Sequence, residues 1–290
     1  MEWDRVLLEL LDVDPLPGEG DGERFLGRPP LAPSSPVYGG HLAAQALAAA
    51  GRTVPAGLDA HSAHGFFLRA ALPGTPFVYR VERVRDSASF ATRRVSALQQ
   101  GQEVFALTAS FHRPEAGLGH QDAMPSVPDP EVLPTYEERL SEAFGAVMQP
   151  LGTPYELRFA GPLSFDVEKD PSLVSDRTEV WVRAGARPPD DARLLHACLL
   201  VYVCDVVMLD TVLVRHGVSW LNASGWSVDY TVWLHGPLRA DDWLLCALET
   251  PVASEGRGLV LGRVFTREGT RVATLAQEGL IRVRGPRGPG

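Results

Sequence analysis

The sequence predicts an α+β protein made of two similar units, each consisting of an apolar helix and an antiparallel meander of strands. Apolar helical patterns cover residues 39–54 and 192–213. Runs of strand-forming residues follow each helix and are separated by turn signals such as LPGTP and QQGQE. Residue types also recur at an offset of 166: Phe67, Leu68, Leu72 and Phe77 fall on Trp233, Leu234, Leu238 and Trp243.

Composition limits the classes of function. The 290 residues are 45% hydrophobic, which is enough for two cores or one large core. The net charge is −9 and no dense run of Lys or Arg appears, so we do not expect a nucleic-acid partner. The three cysteines lie in apolar surroundings without a CxxC spacing, so we expect free thiols, no metal and no cofactor.

The termini and the longest apolar stretch suggest a location. The N-terminus MEWDRVLLELLDVD is acidic and has no signal pattern, and the C-terminus carries no peroxisomal address. Asp205 and Asp210 interrupt the most apolar stretch, residues 197–213, which therefore makes a poor membrane span. We expect a soluble, cytoplasmic protein without a membrane partner.

The first unit is predicted to occupy residues 1–115. It begins with an amphipathic helix at residues 3–12 and a Gly/Pro-rich loop at residues 15–36. The helix at residues 39–54 starts with Gly39 and Gly40, which allow another backbone to come close. The strands that follow cover residues 61–70, 77–86, 90–99 and 103–112.

A linker is predicted at residues 116–160, within a Pro-rich, acidic connector that contains one helix. The second unit, residues 161–290, opens with two predicted strands at residues 164–170 and 177–186. The apolar helix at residues 192–213 comes next. The final meander covers residues 228–238, 242–253, 258–269 and 271–284.

The repeat predicts a specific architecture. A long helix wrapped by an antiparallel sheet is the shape of a hot-dog fold, and two fused copies would imitate a dimer by forming one continuous sheet. The two copies differ in their polar residues. At an offset of 168, Ala109 stands where the second copy has Gln277. At an offset of about 160, Gln45 stands near the position of Asp205. We therefore expect the chemistry in the second unit.

Asp205 is the first candidate for that chemistry. It lies inside CLLVYVCDVVML, and proteins avoid buried carboxylates unless these are paired, hydrogen-bonded or protonated. Alternatively, Asp205 lies on a solvent face of the helix or caps a strand. Asp210, near the end of the helix, is predicted to be solvated.

Gln277 and Ser227 are weaker candidates. Gln277 is the one polar residue on the strand face that it shares with Ala273, Leu275, Gly279 and Ile281. A structural glutamine bonded to backbone groups would fit this position equally. Ser227 is predicted to open the strand SVDYTVW, with no GxSxG motif around it.

Other polar residues in the first meander have simpler interpretations. His61 and His64 are candidate bases, but we favour a packing or hydrogen-bonding role at a strand edge. Arg93 and Arg94 could meet a ligand phosphate, but we favour an alternating strand with one solvated arginine. There is no Walker loop and no GxGxxG, so nucleotide hydrolysis and dinucleotide binding are not predicted.

Several long motifs resemble the TesB-like type II acyl-CoA thioesterases. The first half carries VYGGHLAAQAL, HSAHGFFLR, VRDSASFATRRV and ALTASFHRPEAG, and the second carries HACLLVYVCDVVML, VDYTVWLHGPL, DDWLL and GRVFTREGTRVATLAQEGLIR. The resemblance covers about residues 5–284. It implies a double hot-dog hydrolase of fatty acyl-CoA, with a catalytic Asp/Ser/Gln set at Asp205, Ser227 and Gln277 and a possible homo-oligomer.

Some positions depart from the family pattern. The usual FGGQ start reads Tyr38-Gly39-Gly40-His41, the strand DHSMWFHRP reads DYTVWLHGP with Tyr230 and Gly236 as changes, and Val201 replaces a glycine. We expect these changes to affect the preferred acyl chain rather than the type of reaction.

Two other classes remain open from the sequence. One is a non-hydrolytic acyl-CoA-binding module, and the other is a hot-dog hydratase or dehydratase acting on carrier-bound acyl chains. Within hydrolysis, Asp205 can activate a water molecule or attack the thioester itself to form an acyl anhydride.

Overall fold

The computed structural model describes residues 2–17, 22–29, 37–145 and 154–284. The first half contains helices α1 (Glu2–Leu11) and α2 (Gly39–Gly51). Its strands are β1 (Asp14–Leu16), β2 (Glu23–Gly27), β3 (Asp59–Phe67), β4 (Phe77–Asp86), β5 (Phe90–Gln99) and β6 (Gln102–His112). The meander β3–β6 confirms the four strands that the sequence predicts there.

The connector carries one α-helix in its described part, α3 (Tyr136–Phe144). The Thr135 hydroxyl accepts from the N–H of Glu138, and the Glu138 carboxylate accepts from the N–H of Thr135. This capping box satisfies two N–H groups at the helix start. Strand β7 (Tyr155–Phe159), helix α4 (Ser164–Lys169) and strand β8 (Arg177–Ala184) follow.

The second half repeats the arrangement of the first. Its apolar helix α5 (Arg193–Met208) is followed by the short helix α6 (Asp210–His216). The strands are β9 (Ala223–Ser227), β10 (Asp229–Leu234), β11 (Leu244–Ser254), β12 (Arg257–Thr266) and β13 (Arg271–Val283).

One continuous sheet joins the two halves, as predicted. Its strand order is β1-β2-β4-β5-β6-β3-β10-β13-β12-β11-β8-β7, and β9 pairs with β13. The order β4-β5-β6-β3 in the first half is mirrored by β11-β12-β13-β10 in the second. The antiparallel pair β3–β10 forms the join, with His64 opposite Thr231. The fold is therefore an α+β double hot-dog.

Helices α2 and α5 lie side by side in the common core. Gly51 packs against the Leu194 side chain in this contact, and a larger residue there would have to displace that leucine. Among the described helices, only the stretch Arg193–His216 is long and apolar enough to cross a membrane, and 94% of its most apolar window is buried in the protein. We interpret it as a core helix.

The structure corrects three expectations about local structure. Residues 164–170, predicted as a strand, form α4, because the Asp166 carboxylate accepts from the N–H of Leu163 at the helix start. The predicted loop at residues 15–36 contains β2 and part of β1, while residues 18–21 and 30–36 lie outside the described residues. Ser227 ends β9 rather than opening the next strand.

The long apolar helix is also interrupted. It breaks at Leu209, and Asp210 begins α6. Asp210 is buried rather than solvated, because its carboxylate accepts from the N–H of Ser164 at 3.2 Å. Burial raises the pKa of Asp210, and the contacts with Ser164 oppose that shift. Asp210 therefore joins α6 to the start of α4.

Arg93 and Arg94 follow the alternating interpretation. The Arg93 side chain is fully buried, whereas 59% of the Arg94 side chain is exposed. The Arg93 guanidinium donates to the hydroxyl and carbonyl of Thr53, to the carbonyls of Arg85 and Thr92, and to the Asp86 carboxylate. It joins the end of α2 to the bulged β4–β5 pair.

We predict that Arg93→Met lowers the free energy of unfolding by about 3 kcal/mol, because its buried acceptors lose their donors. Arg94→Met is the matched control and should change it by less than about 0.5 kcal/mol, since an exposed ion pair contributes little. Urea denaturation of both variants measures the difference. Equal losses in the two variants would contradict the structural role of Arg93.

Candidate active site

Asp205 lies on α5, facing the start of α2. Its Oδ2 accepts from the backbone N–H of Gly40 at 2.8 Å, and its Oδ1 accepts from Nε2 of Gln277 at 2.6 Å. The residue is only 8% exposed. The alternative placement on a solvent face is therefore wrong. A hydrogen bond to each oxygen, one of them at the start of a helix, makes burial of this carboxylate tolerable.

Gln277 lies at the centre of β13, fully buried. Burial along this strand alternates as predicted, with Leu275, Gln277 and Gly279 on the buried face. Besides its bond to Asp205, Nε2 of Gln277 donates to the hydroxyl of Ser227 at 3.0 Å. The Gln277 amide therefore donates to two side chains, not to backbone groups as the structural interpretation required.

Ser227 is placed by a break between two strands that run along the same edge of β13. Ser227 pairs with Gly279 at the end of β9, and β10 then pairs with β13 from Thr231 onward. Between the two strands, Val228 donates its N–H to Glu278, while its carbonyl accepts from Phe67. The structure thus brings Asp205, Ser227 and Gln277 into one hydrogen-bonded group.

The electrostatics of the group suit proton transfer near neutral pH. Burial raises the pKa of Asp205 from 3.8 to about 6, although the bonds from Gly40 and Gln277 oppose the shift. A base with a pKa near the working pH is half-ionised there and can both take up and return a proton.

A cavity of about 400 Å³ leads to this group. Asp205 and Ser227 line its inner part, and most of its other walls are apolar, including Leu42, Phe67 and Trp226. A Cβ atom on Gly39 would lie 3.1 Å from Oδ2 of Asp205 and 2.8 Å from the Phe67 ring. Glycine at this position keeps the carboxylate accessible from the cavity.

The Gly39-Gly40 pair indicated a close approach of another backbone, but the contact between α2 and α5 was not predicted. A Cβ atom on Gly40 would lie 2.5 Å from the carbonyl oxygen of Tyr202. The glycine allows its own N–H to reach Asp205. One of the two hydrogen-bond donors to the carboxylate, the N–H of Gly40, thus comes from the other half of the chain.

A second cavity, of about 350 Å³, repeats this construction in the first half. Asp59, Ala60 and His61 line it where Gly225, Trp226 and Ser227 line the first, at the offset of 166. The polar group is not repeated. The Gln45 amide donates to the carbonyls of Leu10 and Arg28 and accepts from the Tyr79 hydroxyl. Ala109 has no polar side chain.

The two histidines take part in local contacts of the first half. A ring nitrogen of His61 lies 2.8 Å from the Ser110 hydroxyl, and His64 stacks on the exposed Phe66 ring. Within residues 2–17, 22–29, 37–145 and 154–284, no three His, Cys, Asp or Glu side chains are grouped as metal ligands. Cys198, Cys204 and Cys246 are buried free thiols, as predicted.

Comparisons with known proteins agree with this geometry. Residues 28–112 match the family model described as acyl-CoA thioesterase N-terminal domain, and residues 121–281 match acyl-CoA thioesterase C-terminal domain. Acyl-coenzyme A thioesterase 8 of Mus musculus is 35% identical, with coverage of 96% of this chain and 89% of that protein. Acyl-CoA thioesterase 2 of Haemophilus influenzae is 32% identical, with coverage of 95% and 96%.

A solved structure shows the same likeness. Acyl-CoA thioesterase II TesB2 from Mycobacterium marinum is 35% identical and has a TM-score of 0.77, with coverage of 97% of this chain and 99% of that one. A hot-dog protein from Alicyclobacillus acidocaldarius, at 22% identity and a TM-score of 0.76, shares the fold.

The raised pKa of Asp205 predicts a pH-dependent effect of Asp205→Asn on stability. The folded state holds the proton more tightly than the unfolded chain, so this contribution to stability is present at low pH and is lost as the pH rises through about 6. The Asp205→Asn variant has no carboxyl group at this position, so it loses no stability from this ionisation. From pH 5 to pH 7.5, the variant should gain about 1 kcal/mol of unfolding free energy relative to wild type.

Urea denaturation of both proteins at the two pH values measures this gain. Any constant effect of the substitution cancels in the comparison. A difference between the two proteins that does not change with pH would show that the Asp205 carboxyl has an ordinary pKa.

Proposed function

Because this chain belongs to the TesB-like type II acyl-CoA thioesterases and hydrolyses acyl-CoA thioesters, we propose that Asp205 activates the attacking water with the help of Ser227 and Gln277. The single observation that carries this proposal is the direct bonding of a buried carboxylate to an amide that also bonds a hydroxyl. Asp205 and Ser227 both line the cavity, so a water molecule there can contact both.

The reaction then proceeds in two steps. Asp205 takes a proton from the water while the water oxygen attacks the thioester carbonyl carbon, which gives a tetrahedral oxyanion. The oxyanion collapses, the carbon–sulfur bond breaks, and the thiolate of CoA leaves. The proton held by Asp205 passes to the leaving sulfur or to solvent, so the carboxylate is restored for the next cycle.

Gln277 acts by fixing the other two groups. Its Nε2 bonds both Asp205 and Ser227, so the base and the hydroxyl keep a constant separation. The Ser227 oxygen accepts from this amide, which leaves its own proton free to bond the water. Fixing the angle of attack in this way lowers the barrier without any covalent contribution from the protein.

The start of α2 is the site we propose for the oxyanion. The N–H groups in the first turn of a helix have no acceptor within the helix and carry partial positive charge. Gly40 already uses its N–H on Asp205, and Gly39 lines the cavity beside it. Backbone donors there can stabilise negative charge on the former carbonyl oxygen.

Direct attack by Asp205 on the thioester is the alternative within hydrolysis. It would form an acyl anhydride that water then cleaves. A single turnover in oxygen-18 water tests for the anhydride. Label in the Asp205 carboxyl indicates an anhydride cleaved at its aspartyl carbon, whereas direct water attack, or cleavage of an anhydride at its acyl carbon, labels the fatty acid alone.

The remaining inferences from the sequence stay predictions. These are the cytoplasmic location, the possible homo-oligomer, and the division into domains at residues 1–115, 116–160 and 161–290. The substrate is an acyl-CoA, and the apolar walls of the cavity support an acyl chain bound next to Asp205.

We predict that Asp205→Asn lowers kcat for acyl-CoA hydrolysis by about 10³-fold, since the general base is lost. Ser227→Ala and Gln277→Ala should each lower it by about 10²-fold through loss of positioning. Release of CoA thiol, followed with DTNB across a series of acyl-CoA lengths, measures these rates. His61→Ala in the second cavity is the matched control and should retain activity within about twofold of wild type.

Each contrary outcome has a distinct meaning. Wild-type activity in Asp205→Asn would remove the proposed base. A loss in His61→Ala as large as that in Ser227→Ala would place the chemistry in the other half. Formation of an enoyl product without thiol release would indicate a hydratase or dehydratase instead.

We predict that kcat/KM falls as the pH drops below about 6, because a protonated Asp205 cannot accept the proton of water. The loss should follow a single ionisation, about tenfold for each pH unit. Initial rates at low substrate concentration from pH 4.5 to pH 8.5 measure the profile. A profile that stays flat down to pH 4.5 would mean that a group with a lower pKa limits the reaction.

A further inference from the structure

Two buried polar atoms next to the proposed catalytic group lack hydrogen-bond partners among the described residues. They are the hydroxyl oxygen of Tyr230 and Oε1 of Gln277. Tyr230 is 3% exposed and Gln277 is fully buried. Leaving a buried donor or acceptor unpaired is costly, and the large majority in folded proteins have a partner. Both atoms therefore call for an explanation.

The two side chains are neighbours across paired strands. Thr231 pairs with Ala276 and Val232 with Leu275 on the antiparallel strands β10 and β13. We infer that this register, extended by one step, places Tyr230 opposite Gln277, and the effect of Asp205 on the pKa of Tyr230 agrees with that position. Opposite residues point to the same face of a sheet, with Cβ atoms about 5 Å apart. Tyr230 and Gln277 therefore reach into the same interior space beneath α5.

Their chemistry is complementary. The Tyr230 hydroxyl can donate a hydrogen bond, and Oε1 of Gln277 can only accept one. No direct bond joins them. Burial and the nearby Asp205 carboxylate both raise the pKa of Tyr230, so its hydroxyl keeps its proton at neutral pH. A single small molecule that accepts from one and donates to the other would satisfy both atoms.

We propose that Tyr230 positions the Gln277 amide through one bound water, which accepts from the Tyr230 hydroxyl and donates to Oε1. The proposal rests on the role given to Gln277 above. In the observed orientation, the amide NH2 faces Asp205 and Ser227. The flipped orientation would turn Oε1 toward the carboxylate, which is repulsive. Holding Oε1 on the far side favours the working orientation.

Tyr230 is a positioning residue in this account, because it does not line the cavity that leads to Asp205. The first half contains another tyrosine–glutamine pair, at positions that do not correspond to Tyr230 and Gln277 in the repeat, in which the Tyr79 hydroxyl donates to Oε1 of Gln45 at 2.8 Å. That pair lies away from the catalytic group and is structural. Tyr79 therefore provides a matched control in the same chain.

The test begins with Tyr230→Phe in the full-length enzyme. We expect kcat to fall about tenfold while KM stays within twofold, because the substrate does not touch this hydroxyl. The pH at which kcat/KM is half-maximal should rise, since a loosened amide stabilises the Asp205 carboxylate less. Tyr230→His, which keeps a hydrogen-bond donor at this position, should recover at least a third of wild-type kcat.

Thermal unfolding measured beside kcat separates positioning from stability. Tyr230→Phe and Tyr79→Phe each remove the donor of a buried acceptor, so both should lower the melting temperature by a similar small amount. Only Tyr230→Phe should lower kcat, and Tyr79→Phe should leave it within twofold of wild type. An unchanged kcat in a folded Tyr230→Phe protein overturns the proposal.

A double-mutant cycle links the effect to Gln277. Tyr230→Phe added to Gln277→Ala should cause no further loss of kcat, because its target is already absent. A further tenfold loss in the double variant overturns the proposal, since Tyr230 would then act independently of Gln277. Failure of the proposed function is recognised separately, by normal activity in Gln277→Ala alone.

Discussion

The burial of one carboxylate, Asp205, brings the two central helices and the sheet together. Asp205 lies in the apolar helix α5, where an unpaired charge would be very costly. Its two oxygens are bonded by groups from two other elements, the start of α2 and the centre of β13. Those contacts fix how close the helices and the sheet must come, and they leave the carboxyl with a pKa of about 6.

This constraint explains why the two halves differ although they share one fold. The mirrored strand order repeats the cavity, but among the described residues only the second half supplies a carboxylate bonded to a side-chain amide. In the first half, the corresponding space holds Gln45, whose side chain is used by backbone carbonyls and by Tyr79. The first half contributes the N–H of Gly40 instead. The proposed active site therefore needs both halves, which is a physical reason for their fusion.

The strand bounds and the buried strand faces could be predicted from the sequence, because both depend on the alternation of apolar and polar residues. Strands Phe77–Asp86 and Phe90–Gln99 begin and end where the alternation predicts, and the buried face of β13 singles out Gln277. Asp205 became a candidate because a carboxylate is unusual in an apolar helix, and the family resemblance, not the periodicity, grouped it with Ser227 and Gln277. Contacts between distant segments could not be predicted this way. The bond of Asp210 to Ser164 and that of Gly40 to Asp205 join residues 46 and 165 positions apart.

The most direct test of the central claim is the ionisation of Asp205 itself. Carbon-13 NMR of the enzyme labelled at the aspartate carboxyl carbon, with Asp205→Asn used to assign the signal, follows that ionisation between pH 3 and pH 9. We expect a midpoint at about pH 6 for the Asp205 signal. A midpoint near the ordinary value of 3.8 would contradict it, because the carboxylate would then be solvated and too weak a base for the proposed step.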